Sequence, residues 1–130
     1  MYDRYTFQRV ESAILHKKPL EIGYISADGR WSYRVIEPYD LFIGADGVPV
    51  IRSMDRLRGK PRSFRLDRIT STAPAKGTCQ LPRPAVDDEA LRARLDEARA
   101  LTRIRAEIAD IYLPTTTAMR WTPDCPIPTV

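Results

Sequence analysis

Leu20-Glu21-Ile22-Gly23-Tyr24-Ile25-Ser26 sets Leu20, Ile22 and Tyr24 on one side and Glu21 and Gly23 on the other. A period of two marks a strand with one face on a core. Asp28-Gly29 follows, a pair suited to a hairpin turn. The return strand runs from Trp31 to about Ile43, first with Trp31, Tyr33 and Val35 on one face, then, after Ile36-Glu37-Pro38, with Tyr39, Leu41 and Ile43 in phase. Proline cannot donate to a ladder, so a bulge or sharp bend is expected at Pro38. Asp46-Gly47 makes the next turn, Val48 to Met54 a third strand, Asp55 to Lys60 a basic loop, Arg62 to Leu66 a fourth strand and Arg68 to Ala73 a short fifth. Short strands joined by tight turns predict a mainly β fold, a small five-stranded sheet bent into a barrel of the Sm or SH3 type with flanking helices.

On the N-terminal side, residues 4–17 carry Phe7, Val10, Ala13 and Ile14 at helical spacing, and Pro19 is expected to stop that helix over one open end of the barrel. On the C-terminal side, Pro74, Gly77, Pro82 and Pro84 interrupt a polar stretch. The expected organisation is therefore a barrel with its N-terminal helix over 1–73, a linker over 74–86, a long helix over 87–113 and a proline-rich tail over 114–130, where Trp121 is a candidate anchor. Asp87 or Asp88 caps the long helix, and Leu91, Leu95, Ala98, Leu101, Ile104, Ile108 and Ile111 recur at steps of three and four through Tyr112. Such a helix would be about 37 Å long, more than a small barrel covers. Either it breaks, or part of the Leu91–Tyr112 stripe packs on a second copy as a homodimer or on another protein.

The 130 residues carry a net charge of +4. Within 52–68, Arg52, Arg56, Arg58, Lys60, Arg62, Arg65 and Arg68 face only Asp55 and Asp67, seven bases against two acids and an excess of five. A concentrated arginine patch suits a phosphate, a nucleotide or a nucleic-acid backbone. No apolar run approaches the roughly 18 residues of a bilayer span, which argues against a membrane protein. Met1 to Tyr5 lacks a secretory layout, so a cytoplasmic location is expected. Cys79, Cys125 and the lone His16 are too few for a zinc site, and no metal or cofactor is expected. A Cys79–Cys125 disulfide would need an oxidising compartment. There is no Ser-His-Asp arrangement and no glycine-rich phosphate loop, and Asp87-Asp88-Glu89 reads as a helix start, so an enzyme is not expected.

Taken in order, Leu20-Glu21-Ile22-Gly23-Tyr24, Asp28-Gly29, Arg34-Val35-Ile36-Glu37-Pro38-Tyr39-Asp40-Leu41 and Arg62-Ser63-Phe64-Arg65-Leu66-Asp67-Arg68-Ile69 resemble the WYL-domain family over roughly residues 10–72. The resemblance implies an Sm-like barrel of bacterial origin, a nucleotide or nucleic-acid ligand, and a link to transcriptional regulation. Where the eponymous Trp-Tyr-Leu would fall, this chain has Pro49-Val50-Ile51. With some nine residues before the matched region, the helix-turn-helix that usually precedes the domain is not expected in this sequence. Carried over from the family pattern, Arg34, Arg62 and Arg68 would form an anion clamp.

The candidate ligand residues are Arg34, Arg62, Arg65, Arg68, Arg52, Tyr24 and Tyr39. Guanidinium forks grip phosphate oxygens in pairs, which is why arginine suits the task. Strand alternation separates Arg62 from Arg65, so only a subset can share one pocket. Asp67, Glu37 and Asp40 are the carboxylates that could instead pair with them. Tyr24, Tyr33, Tyr39 and Trp31 could stack on bases, although Tyr24 and Tyr33 continue an apolar alternation that reads more readily as core. Arg56, Arg58 and Lys60 read as a solvated cluster. Two functions follow: a non-enzymatic regulatory module that binds a nucleic acid or nucleotide-like anion, or an interaction scaffold whose ligand site is degenerate.

Overall fold

A computed structural model describes residues 2–112, with side chains as far as residue 108. The elements are α1 (Arg4–His16), β1 (Leu20–Ile25), β2 (Trp31–Ile43), β3 (Pro49–Asp55), β4 (Lys60–Arg65), a one-turn 3-10 helix (Leu66–Arg68), β5 (Ile69–Pro74) and α2 (Asp88–Tyr112). The fold is thus mainly β with a helix at either end. One compact unit is Met1–Arg99, and a second begins at Ala100 within α2. The tail, with Trp121 and Cys125, lies outside the described residues, and so does the question of a Cys79–Cys125 disulfide. Among the described residues no helix is long and apolar enough to cross a membrane.

Asp3 caps α1 by accepting the Thr6 N–H at 2.8 Å, and the helix buries Phe7, Val10, Ala13 and Ile14. It ends before Pro19 is reached, because Lys17 turns left-handed at φ 55° and the Lys18 N–H closes back on the Ala13 carbonyl at 3.0 Å.

All five strands are antiparallel neighbours in the order β4-β3-β2-β1-β5. The expected irregularity in β2 is present: the register against β3 shifts between Pro38 and Asp40, so that Ile36 and Leu41 both point inward. The sheet is strongly curled. In a flat sheet β1 and β4 would lie about 14 Å apart, three strand spacings. The rings of Tyr24 on β1 and Phe64 on β4 instead meet edge to face with centroids 5.0 Å apart, and the Arg65 N–H donates to the Tyr24 hydroxyl at 3.0 Å. The 3-10 turn carries the chain across this seam, so the ladder itself stops at β4 and β5. It also corrects two boundaries, since Leu66 and Arg68 belong to the turn rather than to strands.

Leu20, Ile22, Ile36, Leu41, Ile51, Phe64 and Leu66 fill the curl, and Leu91, Leu95 and Ala98 of α2 join the same cluster. The connector before α2 is tied down rather than loose. Glu37, buried on β2, accepts the N–H groups of Gln80 at 2.8 Å and Leu81 at 3.0 Å, and Val86 packs against the core.

Candidate functional site

The cross-strand register determines which side chains share the concave face. Ile22 lies opposite Arg34, Tyr24 opposite Ser32, Ile36 opposite Asp55, Ser53 opposite Arg62 and Ile51 opposite Phe64. Followed from the apolar middle toward one end, this face changes from Ile22, Ile36 and Ile51 to Ser32, Arg34, Asp55 and Arg62. The hydrophobic interior therefore opens into a polar mouth.

That mouth is a hollow of about 420 Å³ between the β1–β2 and β3–β4 hairpins, walled by Tyr24, Ser32, Arg34 and Arg62 with Arg30, Arg58 and Asp28 nearer the hairpin tips. Asp55 lies at 0% exposure beside it and holds Arg34, itself only 9% exposed, through Nη1 and Oδ2 at 2.5 Å. Arg34 also donates from Nε to Ser32 Oγ at 3.1 Å. Arg62 Nη1 stands 3.9 Å from the same Asp55 oxygen, too far for a hydrogen bond. It is buried without a hydrogen-bond partner among the described residues, as is Ser53 Oγ on the facing strand. Both guanidinium groups lie against the Phe64 ring, Arg62 at 5.5 Å and Arg34 at 6.0 Å from its centroid. Phe64 and Tyr24 thus form an aromatic floor that suits cations.

Buried charges are normally neutralised in pairs, and a buried donor without an acceptor costs roughly 1–3 kcal/mol. Here two guanidinium groups share one carboxylate, and one of them keeps an unmet donor. The arrangement can accept an anion with little rearrangement.

In comparison with known proteins, the model of the WYL domain matches residues 5–74, more than half of the chain. The chain belongs to the WYL-domain family. The match extends a few residues beyond each end of the stretch on which the sequence resemblance rests. Proteasome accessory factor B/C (PafBC) of Arthrobacter aurescens is a similar solved structure, with a TM-score of 0.53 and 24% identity over 58% of this chain, a likeness of fold. This chain spans only 12% of that one. The search of curated proteins found no match.

Within the WYL barrel the predicted site residues divide. Arg34, Arg62 and Tyr24 meet at the hollow, while Tyr24 also packs in the core. Arg65 faces away and is committed to two carboxylates, Asp67 at 2.9 Å and Asp46 at 2.7 Å. Those partners push its pKa up, Asp67 foremost, and Arg65 in turn holds both carboxyls below the usual range. Arg68 sits on the 3-10 turn close enough to Asp67 to help lower it, and does not line the hollow. The clamp implied by the family pattern therefore lacks Arg68 in this chain. Arg52 lies on the convex side, its guanidinium 4.7 Å from the centroid of the Phe42 ring. Tyr39 is buried at the bulge, and burial pushes its hydroxyl pKa up.

Other expectations are corrected. Tyr33 is not core: it is 56% exposed and stacks on Trp31, itself 58% exposed, on the convex face, centroids 6.1 Å apart. The inward positions of that end of β2 belong to Ser32 and Arg34, so the aromatics are turned out. Arg56 is not solvated, because its Nε donates to Glu37 at 2.8 Å and its Nη2 to the Thr78 carbonyl at 2.9 Å. Asp40 pairs with Arg94, and Glu37 with Arg56, rather than with the candidate arginines. Sequence reasoning missed Asp55 as their partner. Its place two residues after Ser53 and four after Ile51, on an inward-facing strand, was the available signal.

Proposed function

We propose that the chain is a non-enzymatic regulatory module of the cytoplasm whose barrel mouth binds a phosphate-bearing ligand, a nucleic acid or nucleotide, in the service of transcriptional control. The observation that carries this reading is the buried, partnerless Nη1 of Arg62 beside an Arg34 already oriented by Asp55. Family membership supports the regulatory part. The hollow's volume suits one nucleotide-sized group, within the usual range of ligand sites.

Arg62→Ala is the cleanest test, since it removes a ligand donor without stranding a buried partner. Arg34→Ala is less clean because it takes from buried Asp55 its one hydrogen-bonded guanidinium and leaves only Arg62 at 3.9 Å, a break in a buried pair that costs up to about 3–5 kcal/mol of stability. In an electrophoretic shift against mixed DNA and RNA oligonucleotides, Arg62→Ala should lose retention by tenfold or more, about 1.4 kcal/mol. Undiminished binding by this variant would remove the hollow from the account. A second reading, an assembly subunit, is favoured by Ile104 and Ile108, four residues apart on α2 and each 48% exposed.

A further inference from the structure

We infer that the hollow distinguishes ligands by charge state, taking a singly charged phosphodiester in preference to a doubly charged phosphomonoester, and that Asp55 is the positioning residue that sets this preference. The inference rests on the anion-binding reading of the same hollow and adds the class of anion.

Charge balance at the base of the site is the first argument. Arg34 is 9% exposed and Asp55 0%, and Arg62, 32% exposed overall, buries its Nη1, so two guanidinium groups and one carboxylate leave a surplus of one positive unit in a partly dry setting. Uncompensated charge of either sign is costly there. A phosphodiester brings one negative charge, whereas a monoester above its second pKa of about 6 brings close to two. The rim adds one positive unit, Arg30 and Arg58 against Asp28, but at positions open to water. Arg30, Arg58 and Asp28 are exposed, and charges in water are screened, so they act on the approach of the ligand.

Donor geometry is the second argument. Arg34 has Nε on Ser32 and Nη1 on Asp55, which leaves Nη2 uncommitted among the described residues. Arg62 contributes the partnerless Nη1. One donor from each guanidinium suits the two non-bridging oxygens of a diester.

Asp55 cannot easily move aside for a second negative charge. Its Oδ1 accepts the Leu57 N–H at 3.0 Å and its Oδ2 accepts Arg34, while its carbonyl accepts Gly59 N–H at 2.7 Å and Arg58 N–H at 3.2 Å. The same residue that orients Arg34 therefore seats the β3–β4 turn and stays as a fixed negative charge below the site.

The test compares two probes that differ by one methyl group and one charge: thymidine monophosphate and its methyl phosphodiester, titrated into the full chain at about pH 8, where the monoester is a dianion. Chemical-shift perturbation at millimolar probe reads both affinities. The diester should bind tighter by roughly fivefold or more, the scale on which a like charge near a buried carboxylate acts. Asp55→Asn, checked for folding by circular dichroism, should reduce that ratio to near unity; a loss of affinity for both probes at unchanged ratio would make Asp55 merely structural and overturn its assigned role. If the variant does not fold, the wild-type ratio decides alone. Equal binding, or tighter binding of the dianion, overturns the inference while leaving the hollow an anion site. Binding of neither probe while oligonucleotide is still retained also overturns it. Binding of neither probe together with no retention of oligonucleotide defeats the anion-binding reading itself.

Discussion

Glu37 shows what one side chain contributes to this fold. Burial pushes its carboxyl pKa up, yet the N–H groups of Gln80 and Leu81 and the Arg56 guanidinium outweigh burial and hold it below the ordinary glutamate range. A depressed folded-state pKa stabilises the protein above the unfolded value of about 4.3 and ceases to do so as pH falls through the folded value. In urea titrations Glu37→Gln should cost about 1–3 kcal/mol at neutral pH, since it strands donors around a group of nearly the same shape. The gap between wild type and variant should hold from neutrality to about pH 5 and narrow below it. A gap independent of pH would mean that the charge is not what pins the connector. That Glu37 could pair with an arginine was legible beforehand, but its actual partners were not, since they lie 19 to 44 positions away, beyond the reach of local pattern.

At the scale of elements, β1 and β2 were legible because each carries a period-two pattern and is followed by a turn pair, Asp28-Gly29 and Asp46-Gly47, and the β2 irregularity was legible because Pro38 cannot donate. The inward face at the start of β2 was not, since apolar alternation points to Trp31 and Tyr33 whereas the barrel mouth requires polar residues inside. The long helix divides similarly. Leu91, Leu95 and Ala98 are buried in the core cluster, which accounts for the first half of the stripe by packing within its own unit. Ile104 and Ile108 remain half exposed. If this stretch of α2 holds two copies together, Ile104→Glu combined with Ile108→Glu should shift the light-scattering mass to that of one chain. Exposed substitutions of this kind should move the unfolding free energy of the barrel by only about 0.5 kcal/mol. An unchanged mass at all concentrations would set the assembly reading aside.

Over the whole molecule, the question is whether affinity for a polyanion comes from total charge or from a few placed groups. Counting along 52–68 gives an excess of five positive charges, but folding distributes them unequally. Arg56 is committed to Glu37, Arg65 to Asp46 and Asp67, Arg68 lies beside Asp67, and Arg52 rests on Phe42 at the convex face. From that stretch only Arg58 and Arg62 line the hollow, where Arg30 and Arg34 join them from the other hairpin. The linear count therefore pointed to the right hairpin but overstated its free charge, because ion pairing and alternation cannot be read from a sum. Counterion release makes the difference measurable. With a slope of about −0.7 per phosphate neutralised on single strands, two or three contacts at the hollow predict a log–log salt slope of roughly −1.5 to −2, against about −3.5 if the whole excess acted. Arg62→Ala should make the slope shallower by about 0.7, while Arg52→Ala, on the opposite face, should leave it unchanged. Equal sensitivity to both substitutions, with the steeper slope, would mean that the barrel acts as a diffuse positive surface and that the register placing Arg34 and Arg62 together has no bearing on binding.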